Sequence, residues 1–405
     1  MKVSDILFRN LASENENVLM QLKGELKKKR SADEWILGLG AGVSISVGLP
    51  DWYKLLSKIT AQVCPLSLMD STENGEDAGA SFRKSLKEYY DNLDSRENFW
   101  EKWGQIFEGE NKEIFQGINQ LEAAEYIFEQ LEGIKKYSKK NDNEAIIKKK
   151  ANYYVNHMIQ NAFKKESYLD DLDNTTLLAV SRLMKSEKDS LIHNAITYNY
   201  DNLLEECLRK ECKCDENKIH SIDKGDNLPG LAKKDGWNIY HVHGRIPVVE
   251  HDGEQMSEAV ILSESAYYHE EEINYSWTNI LQSYVMLSKR MIFIGFSGAD
   301  YNFRRLVKYI RVENKQSGIK NSRHYIFFCV DDIVKTVFSK QITSKKSVEE
   351  CIRDMNDKPE QYAFEKMIIN YLINAQSYYW DNKGFKVIWS SHQQLYGDLE
   401  KLHYI

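Results

Sequence analysis

Trp35-Ile36-Leu37-Gly38-Leu39-Gly40-Ala41-Gly42-Val43-Ser44-Ile45-Ser46-Val47-Gly48-Leu49-Pro50-Asp51-Trp52 is the stretch that decides the fold. An apolar run enters a glycine-rich turn, followed by small hydroxyl residues and Gly-Leu-Pro-Asp. This order describes a buried strand that ends in a phosphate-binding turn. Gly40 and Gly42 carry no Cβ, so backbone can come close to a pyrophosphate. N–H groups at the start of a following helix face such an anion, and the helix dipole favours negative charge there.

Five further runs have strand character: Ala195-Ile196-Thr197-Tyr198, Asn238-Ile239-Tyr240-His241-Val242, Met291-Ile292-Phe293-Ile294, Tyr325-Ile326-Phe327-Phe328-Cys329-Val330 and Phe385-Lys386-Val387-Ile388-Trp389. Most are continuously apolar rather than alternating, as strands covered on both faces should be. Helical patterns separate them, as in Asn202–Leu208 and Asn302–Ile310. The alternation predicts an α/β fold, a Rossmann-like doubly wound parallel sheet of about six strands. Ligands then bind outside the carboxyl ends of the strands.

Between Trp52 and Leu191 no segment reads as a strand, and apolar residues recur at helical spacing, as in Glu122–Leu131. The expected organisation is therefore tripartite. Residues 1–52 hold an N-terminal helix, the first strand and the phosphate loop, residues 53–190 a large inserted helical module covering the mouth of the sheet, and residues 191–405 the remainder of the sheet. Ser71–Gly79 reads as a mobile loop. Ile6, Leu7, Leu11, Leu19, Leu22 and Leu26 give the first thirty residues an amphipathic stripe, for packing on the chain's own sheet or for an oligomer or partner contact.

A net charge of −7 argues against nucleic-acid binding by bulk charge, and the lysine-rich stretch 135–150 reads as a solvated face. The N-terminus has no signal-peptide pattern, and no apolar run is long enough to span a bilayer, so a cytoplasmic protein is expected. Cys207, Cys212 and Cys214 cluster near His220, but Cys212-Lys213-Cys214 is too tight for a zinc knuckle. They read as reduced surface thiols behind a helix, and no metal is expected.

Polar residues gather at the strand ends. Thr197-Tyr198-Asn199-Tyr200-Asp201-Asn202 lies between a buried strand and a helix. Asp201 or Asn202 can cap that helix, whereas the Asn199 carboxamide both donates and accepts and can orient a water or a sugar hydroxyl. In Tyr240-His241-Val242-His243-Gly244-Arg245, the glycine suits a turn that leaves the His243 imidazole at the strand tip as a general base. His241 reads as a structural histidine. Ile294-Gly295-Phe296-Ser297-Gly298-Ala299-Asp300 is a second small-residue turn, with Asp300 placed to cap the next helix and Gly295 and Ser297 to hold the far half of a dinucleotide. Arg304 and Arg305 follow, as partners for acids or phosphate or simply as surface residues.

Four segments, taken in order, resemble the sirtuin superfamily: Gly40-Ala41-Gly42-Val43-Ser44 with Gly48-Leu49-Pro50-Asp51, then Thr197-Tyr198-Asn199-Tyr200-Asp201, then His243-Gly244, then Gly295-Phe296-Ser297. Three departures separate the chain from the lysine deacylases of that superfamily. No cysteine lies between His243 and Gly295, where those enzymes carry a zinc module. Their Phe-Gly-Glu peptide-binding segment is missing, and Asp51-Trp52-Tyr53 replaces Asp-Phe-Arg. The wording Gly-Leu-Pro-x-Trp and Asn-Tyr-Asp resembles the sirtuin-like NAD-hydrolysing effectors of bacterial anti-phage defence.

That resemblance implies cleavage of NAD+ as substrate at its nicotinamide–ribose bond, with Asn199 and His243 as catalytic residues. By the same resemblance Gly40, Ala41, Gly42, Ser44, Asp51, Asp201, Gly295 and Ser297 bind the nucleotide. It also implies a homo-oligomer, gated by assembly or by a separate subunit such as a HerA-type hexameric ATPase. A protein deacylase, an ADP-ribosyltransferase and a non-catalytic NAD or ADP-ribose scaffold are the competing readings.

Overall fold

In the computed structural model of the protein, seven strands form one all-parallel sheet. They are β1 (Trp35–Leu39), β2 (Asn194–Thr197), β3 (Ile219–Ile222), β4 (Trp237–His241), β5 (Arg290–Ile294), β6 (His324–Cys329) and β7 (Phe385–Ser390). Their order is β3-β4-β2-β1-β5-β6-β7. The structure describes residues 6–7, 9–28, 35–52, 54–56, 58–59, 120–133, 144–163, 168–185, 192–223, 236–249, 251, 255–263, 265–268, 276–316, 324–339 and 347–403. The expected loop Ser71–Gly79 and most of the first half of the inserted module lie outside them.

The chain begins the sheet in its middle. It adds β2, β3 and β4 on one side of β1, then crosses over and adds β5, β6 and β7 on the other. The loops after β1 and β5 therefore meet where the winding reverses, the position at which such sheets bind ligands. In register, Leu37 pairs with Ala195 of β2 and Ile292 of β5.

Alternate residues of the central strands feed two cores. Trp35, Leu37 and Leu39 face one, packed by Leu22 and Leu26 of α1 (Arg9–Leu26) and by α3 (Gln120–Gly133), α4 (Glu144–Phe163), α5 (Thr176–Lys185), α6 (Leu203–Lys210) and α12 (His392–His403). A single helical turn, α2 (Gly42–Ile45), follows β1. Ile36, Met291 and Phe293 face the other core, packed by α7 (Trp277–Ser288), α8 (Tyr301–Gln316), α9 (Val330–Val337), α10 (Val348–Asp357) and α11 (Ala363–Asp381). Burial on both faces is why the strands are continuously apolar. Helix starts are set locally. Ser276 Oγ accepts from Asn279 N at 3.2 Å, and Ser347 with Glu350 closes a capping box on α10.

The seventh strand, β3, is the addition to the six read from sequence. Ile219-His220-Ser221-Ile222 has only two apolar residues, both buried, and pairs along one side only, with β4. α1 does lie along the sheet: Asn15 Nδ2 donates to Trp389 O at 2.9 Å, and Trp389 N donates to Asn15 Oδ1 at 2.6 Å. The cysteine cluster differs from expectation. Cys207 and Cys212 are buried core thiols rather than surface ones, and burial pushes them up to about 11 and about 12. Among the described residues, no group of three or more His, Cys, Asp or Glu is placed to hold a metal ion, and no helix is long and apolar enough to cross a membrane.

Candidate active site

The turns after β1 and β5 touch backbone to backbone. Gly40 N donates to Ile294 O at 3.1 Å, and Gly42 N donates to Gly295 O at 2.9 Å. A Cβ on Gly42 would stand 2.8 Å from Gly295 Cα, and one on Gly40 would stand 2.6 Å from Gly295 O. Gly295 itself has φ +62°, and a Cβ there would stand 2.5 Å from Val43 N. Glycine is needed here for contact between turns as well as for conformation. Gly295→Ala is expected to destabilise the fold by about 2–4 kcal/mol, from left-handed strain plus overpacking, measured by denaturant unfolding.

This packing changes the reading of the glycine loop. The Gly40, Gly42 and Val43 N–H groups are all taken up within the protein, Val43 N donating to Gly40 O at 3.0 Å. The helix that follows is one turn long, so its dipole is small. The expected cradle of loop N–H groups is therefore narrower than the glycine pattern suggests. Ala41 is exposed at the loop's outer edge.

Asn199, two residues beyond the end of β2, leans onto this loop. Its Nδ2 donates to Gly40 O at 3.0 Å and to Ser44 Oγ at 3.1 Å. Both donors of the carboxamide are thereby engaged, and Oδ1 is the group that can meet a sugar hydroxyl or a water. Ser44, expected to face phosphate, is buried and bonds Asn199 and the Asp201 carboxylate instead. Asp201 Oδ1 also accepts from Leu203 N at 3.2 Å, so Asp201 caps α6; burial raises its carboxyl above the usual range against those two hydrogen bonds. Asn202 stands at the cap position, but its side chain binds the chain after β4, accepting from Val248 N at 2.9 Å and donating to Val249 O at 2.8 Å.

β4 stops at His241, so the two histidines do not continue one strand face. His241 is fully buried and its Nε2 lies 2.8 Å from Glu205 Oε1. Burial raises the Glu205 carboxyl, but the His241 ring and hydrogen bonds from His241 and Ser221 outweigh it and hold the group below its ordinary value. On its other side, His241 Nδ1 lies 3.4 Å from Asn199 O. His243 sits in the turn that follows, shaped by Gly244 at φ +88°.

The His243 ring is wedged edge-on between Tyr198 and Tyr267, at centroid distances of 5.3 and 5.7 Å. Its Nε2 faces Asp300 Oδ2 at 3.3 Å, and Tyr267 Oη donates to that same oxygen at 2.6 Å. Asp300 Oδ1 meanwhile accepts from Phe303 N at 2.7 Å, so the residue caps α8 as expected and also faces the imidazole. Burial, then the nearby Asp300 charge, keeps the Tyr198 and Tyr267 phenols protonated far above their ordinary range. The aspartate and Tyr267 are the partners that sequence reasoning missed. Tyr267 lies 24 residues beyond the histidine in a segment without a motif.

The remaining expected residues are placed differently. Asp51 Oδ1 accepts from Lys54 N at 2.9 Å, capping a helical turn. Ser297 is exposed, and its Oγ accepts from Ala299 N at 3.2 Å within its own turn. Among the described residues Arg304 and Arg305 have no acid partner: Arg304 reaches Tyr379 Oη at 3.3 Å, and Arg305 reaches Asn302 Oδ1 at 2.7 Å. Gly295 packs against the glycine loop through its backbone.

A cavity of about 380 Å³ opens beside His243. Its walls include His241, Trp277 and Asp223, with Glu125 and Glu129 from α3 and Lys148 from α4. Helices of the inserted module thus form one side of the space next to the imidazole. Gly40, Gly42, Ser44 and Asn199 do not line it. The carboxamide and the imidazole stand at the tips of neighbouring strands, the first toward the glycine turns and the second toward this cavity.

No curated protein matches the chain. Residues 193–364, which contain both strand tips but begin after the glycine loop, match the family model described as a SIR2-like domain. The match supports a sirtuin-like fold and fits NAD-dependent chemistry in general.

Proposed function

We propose that the protein is an NAD+ glycohydrolase, splitting NAD+ into nicotinamide and ADP-ribose. The observation that carries this reading is the pair of neighbouring strand tips: Asn199 set against the glycine turn at 3.0 Å, and His243 backed by the Asp300 carboxylate at 3.3 Å. Loss of neutral nicotinamide breaks the C1′–N bond and leaves oxocarbenium character on the ribose, as in glycoside hydrolysis. Water then attacks C1′ and gives up a proton to His243. The carboxylate facing Nε2 at 3.3 Å stabilises the imidazolium so formed. Asn199, with its donors tied to the loop, presents Oδ1 to a ribose hydroxyl or to the attacking water.

Resemblance to anti-phage effectors supports a toxic enzyme acting in abortive infection, restrained until assembly or a HerA-type ATPase partner releases it. Incubation of the full chain with NAD+, alone and with that partner, tests the reading by chromatography of the products. Equal amounts of nicotinamide and ADP-ribose are expected. Nicotinamide release only with an acyl-lysine peptide would make the protein a deacylase, and no release in either arm would make it a nucleotide-binding scaffold.

A further inference from the structure

Every residue that α8 leaves unburied between Tyr301 and Arg311 is a cation or a phenol. Phe303, Leu306, Val307 and Ile310 hold the helix on the sheet. The solvent side presents Tyr301, Arg304, Arg305, Lys308, Tyr309 and Arg311, with no acid among them. Solvated helix faces normally mix both signs, and here the whole chain carries more acids than lysines and arginines, 61 against 54. The face continues past the helix start. Arg304 Cζ and Lys383 Nζ both lie over the Tyr379 ring, 6.0 and 4.5 Å from its centroid. Burial raises the Tyr379 phenol, but the Arg304 hydrogen bond and the Lys383 charge outweigh it and hold the group below its ordinary value.

These cations lack carboxylate partners. Arg182, Arg209 and Arg290 each hold a carboxylate, whereas among the described residues Arg304, Lys308, Arg311 and Lys383 hold none. Arg311 Nε is moreover a buried donor without an acceptor. Positive charge left open on one face of a net-negative chain fits a polyanion. The rings then distinguish among polyanions. Tyr301, Tyr309, Tyr378 and Tyr379 stand among or beside the cations and are 46%, 70%, 72% and 39% exposed. An acidic protein would use the cations alone. Unpaired nucleobases also stack on phenol rings and guanidinium planes. Bases inside a duplex are already stacked on one another, so the rings favour a single strand.

We infer that the solvent face of α8, extended by Tyr379 and Lys383, binds single-stranded nucleic acid, with phosphates on the cations and bases on the tyrosines. The full chain is titrated against a fluorescent oligothymidylate of about 20 nucleotides, and anisotropy is read without NAD+, so the result stands apart from the hydrolase reading. Micromolar binding is expected at about 50 mM salt, and with four phosphate contacts the affinity should fall about fiftyfold by about 200 mM. Arg304→Gln combined with Lys308→Gln should weaken binding about tenfold and roughly halve the salt slope. Tyr309→Ala should weaken it about tenfold with the slope unchanged. All three positions are exposed, so both variants should melt as the wild type does. No binding at the lower salt overturns the inference, as does binding that the double variant leaves unchanged. A duplex of the same length that binds more tightly than the strand overturns it too. Polyglutamate of equal charge that competes as well as the oligonucleotide would overturn it in favour of an acidic protein partner.

Discussion

Replacing His243 with alanine is expected to lower NAD+ hydrolysis by about 10²–10⁴-fold, the usual contribution of a positioned acid–base group. Nucleotide affinity should change little, because the nucleotide contacts proposed above, at the glycine turns and Asn199, lie on other strands. The measurement is nicotinamide release at saturating NAD+, set beside calorimetric binding of the nucleotide. The ring fills the gap between Tyr198 and Tyr267, so alanine also removes packing there. His243→Gln, which keeps most of the volume, separates the two effects. Both variants should lose turnover if proton transfer is the function, whereas only alanine should suffer if packing is. Hydrolysis at the wild-type rate in either variant would remove His243 from the mechanism.

Glu205→Ala should have the largest effect on folding. The carboxylate is fully buried, lies 2.8 Å from His241 Nε2 and accepts from Ser221 Oγ at 2.7 Å. Its removal leaves a buried ring nitrogen and a half-buried hydroxyl without their acceptor, a loss of about 3–5 kcal/mol in urea unfolding. Glu205→Gln, which keeps an acceptor oxygen, should cost about half as much. The pH dependence has a definite sign. The folded carboxyl ionises below its ordinary value of 4.5, so the unfolded chain binds the proton more readily. Stability from this group is present above that value and is lost as pH falls through the lower folded one. Glu205→Ala should therefore flatten the acid side of the stability profile. His241 also touches Asn199 O, so the buried carboxylate props up the carboxamide's own strand tip.

Much of the architecture was legible because buried parallel strands advertise themselves. Six apolar runs with helical patterns between them were enough to anticipate the doubly wound sheet, within a residue or two at most strand ends. β3 escaped because an edge strand of four residues needs only two apolar positions. The candidate site was legible in part. Asn199 and His243 stand out because polar residues at the ends of buried strands are conspicuous. Their partners do not. Asp300 reads as a helix cap, and only folding reveals that its second oxygen faces an imidazole 57 residues earlier. Tyr267 has no periodicity or motif around it. Ser44 and Gly295 read from sequence as ligand contacts, and the structure adds a second role for each: small residues in a turn serve packing against another turn as readily as they serve a ligand.

The seam between the two glycine turns has a mechanical meaning. No side chain lies between Gly42 and Gly295, so the contact has no rotamers through which to yield. It behaves as a rivet that joins the two halves of the sheet at the crossover. Any motion that widens the space beside His243 must then hinge about that fixed point. The helices α3 and α4 contribute part of the wall of that space. A partner that grips those two helices would have a lever on the imidazole's surroundings while the two glycine turns stay still.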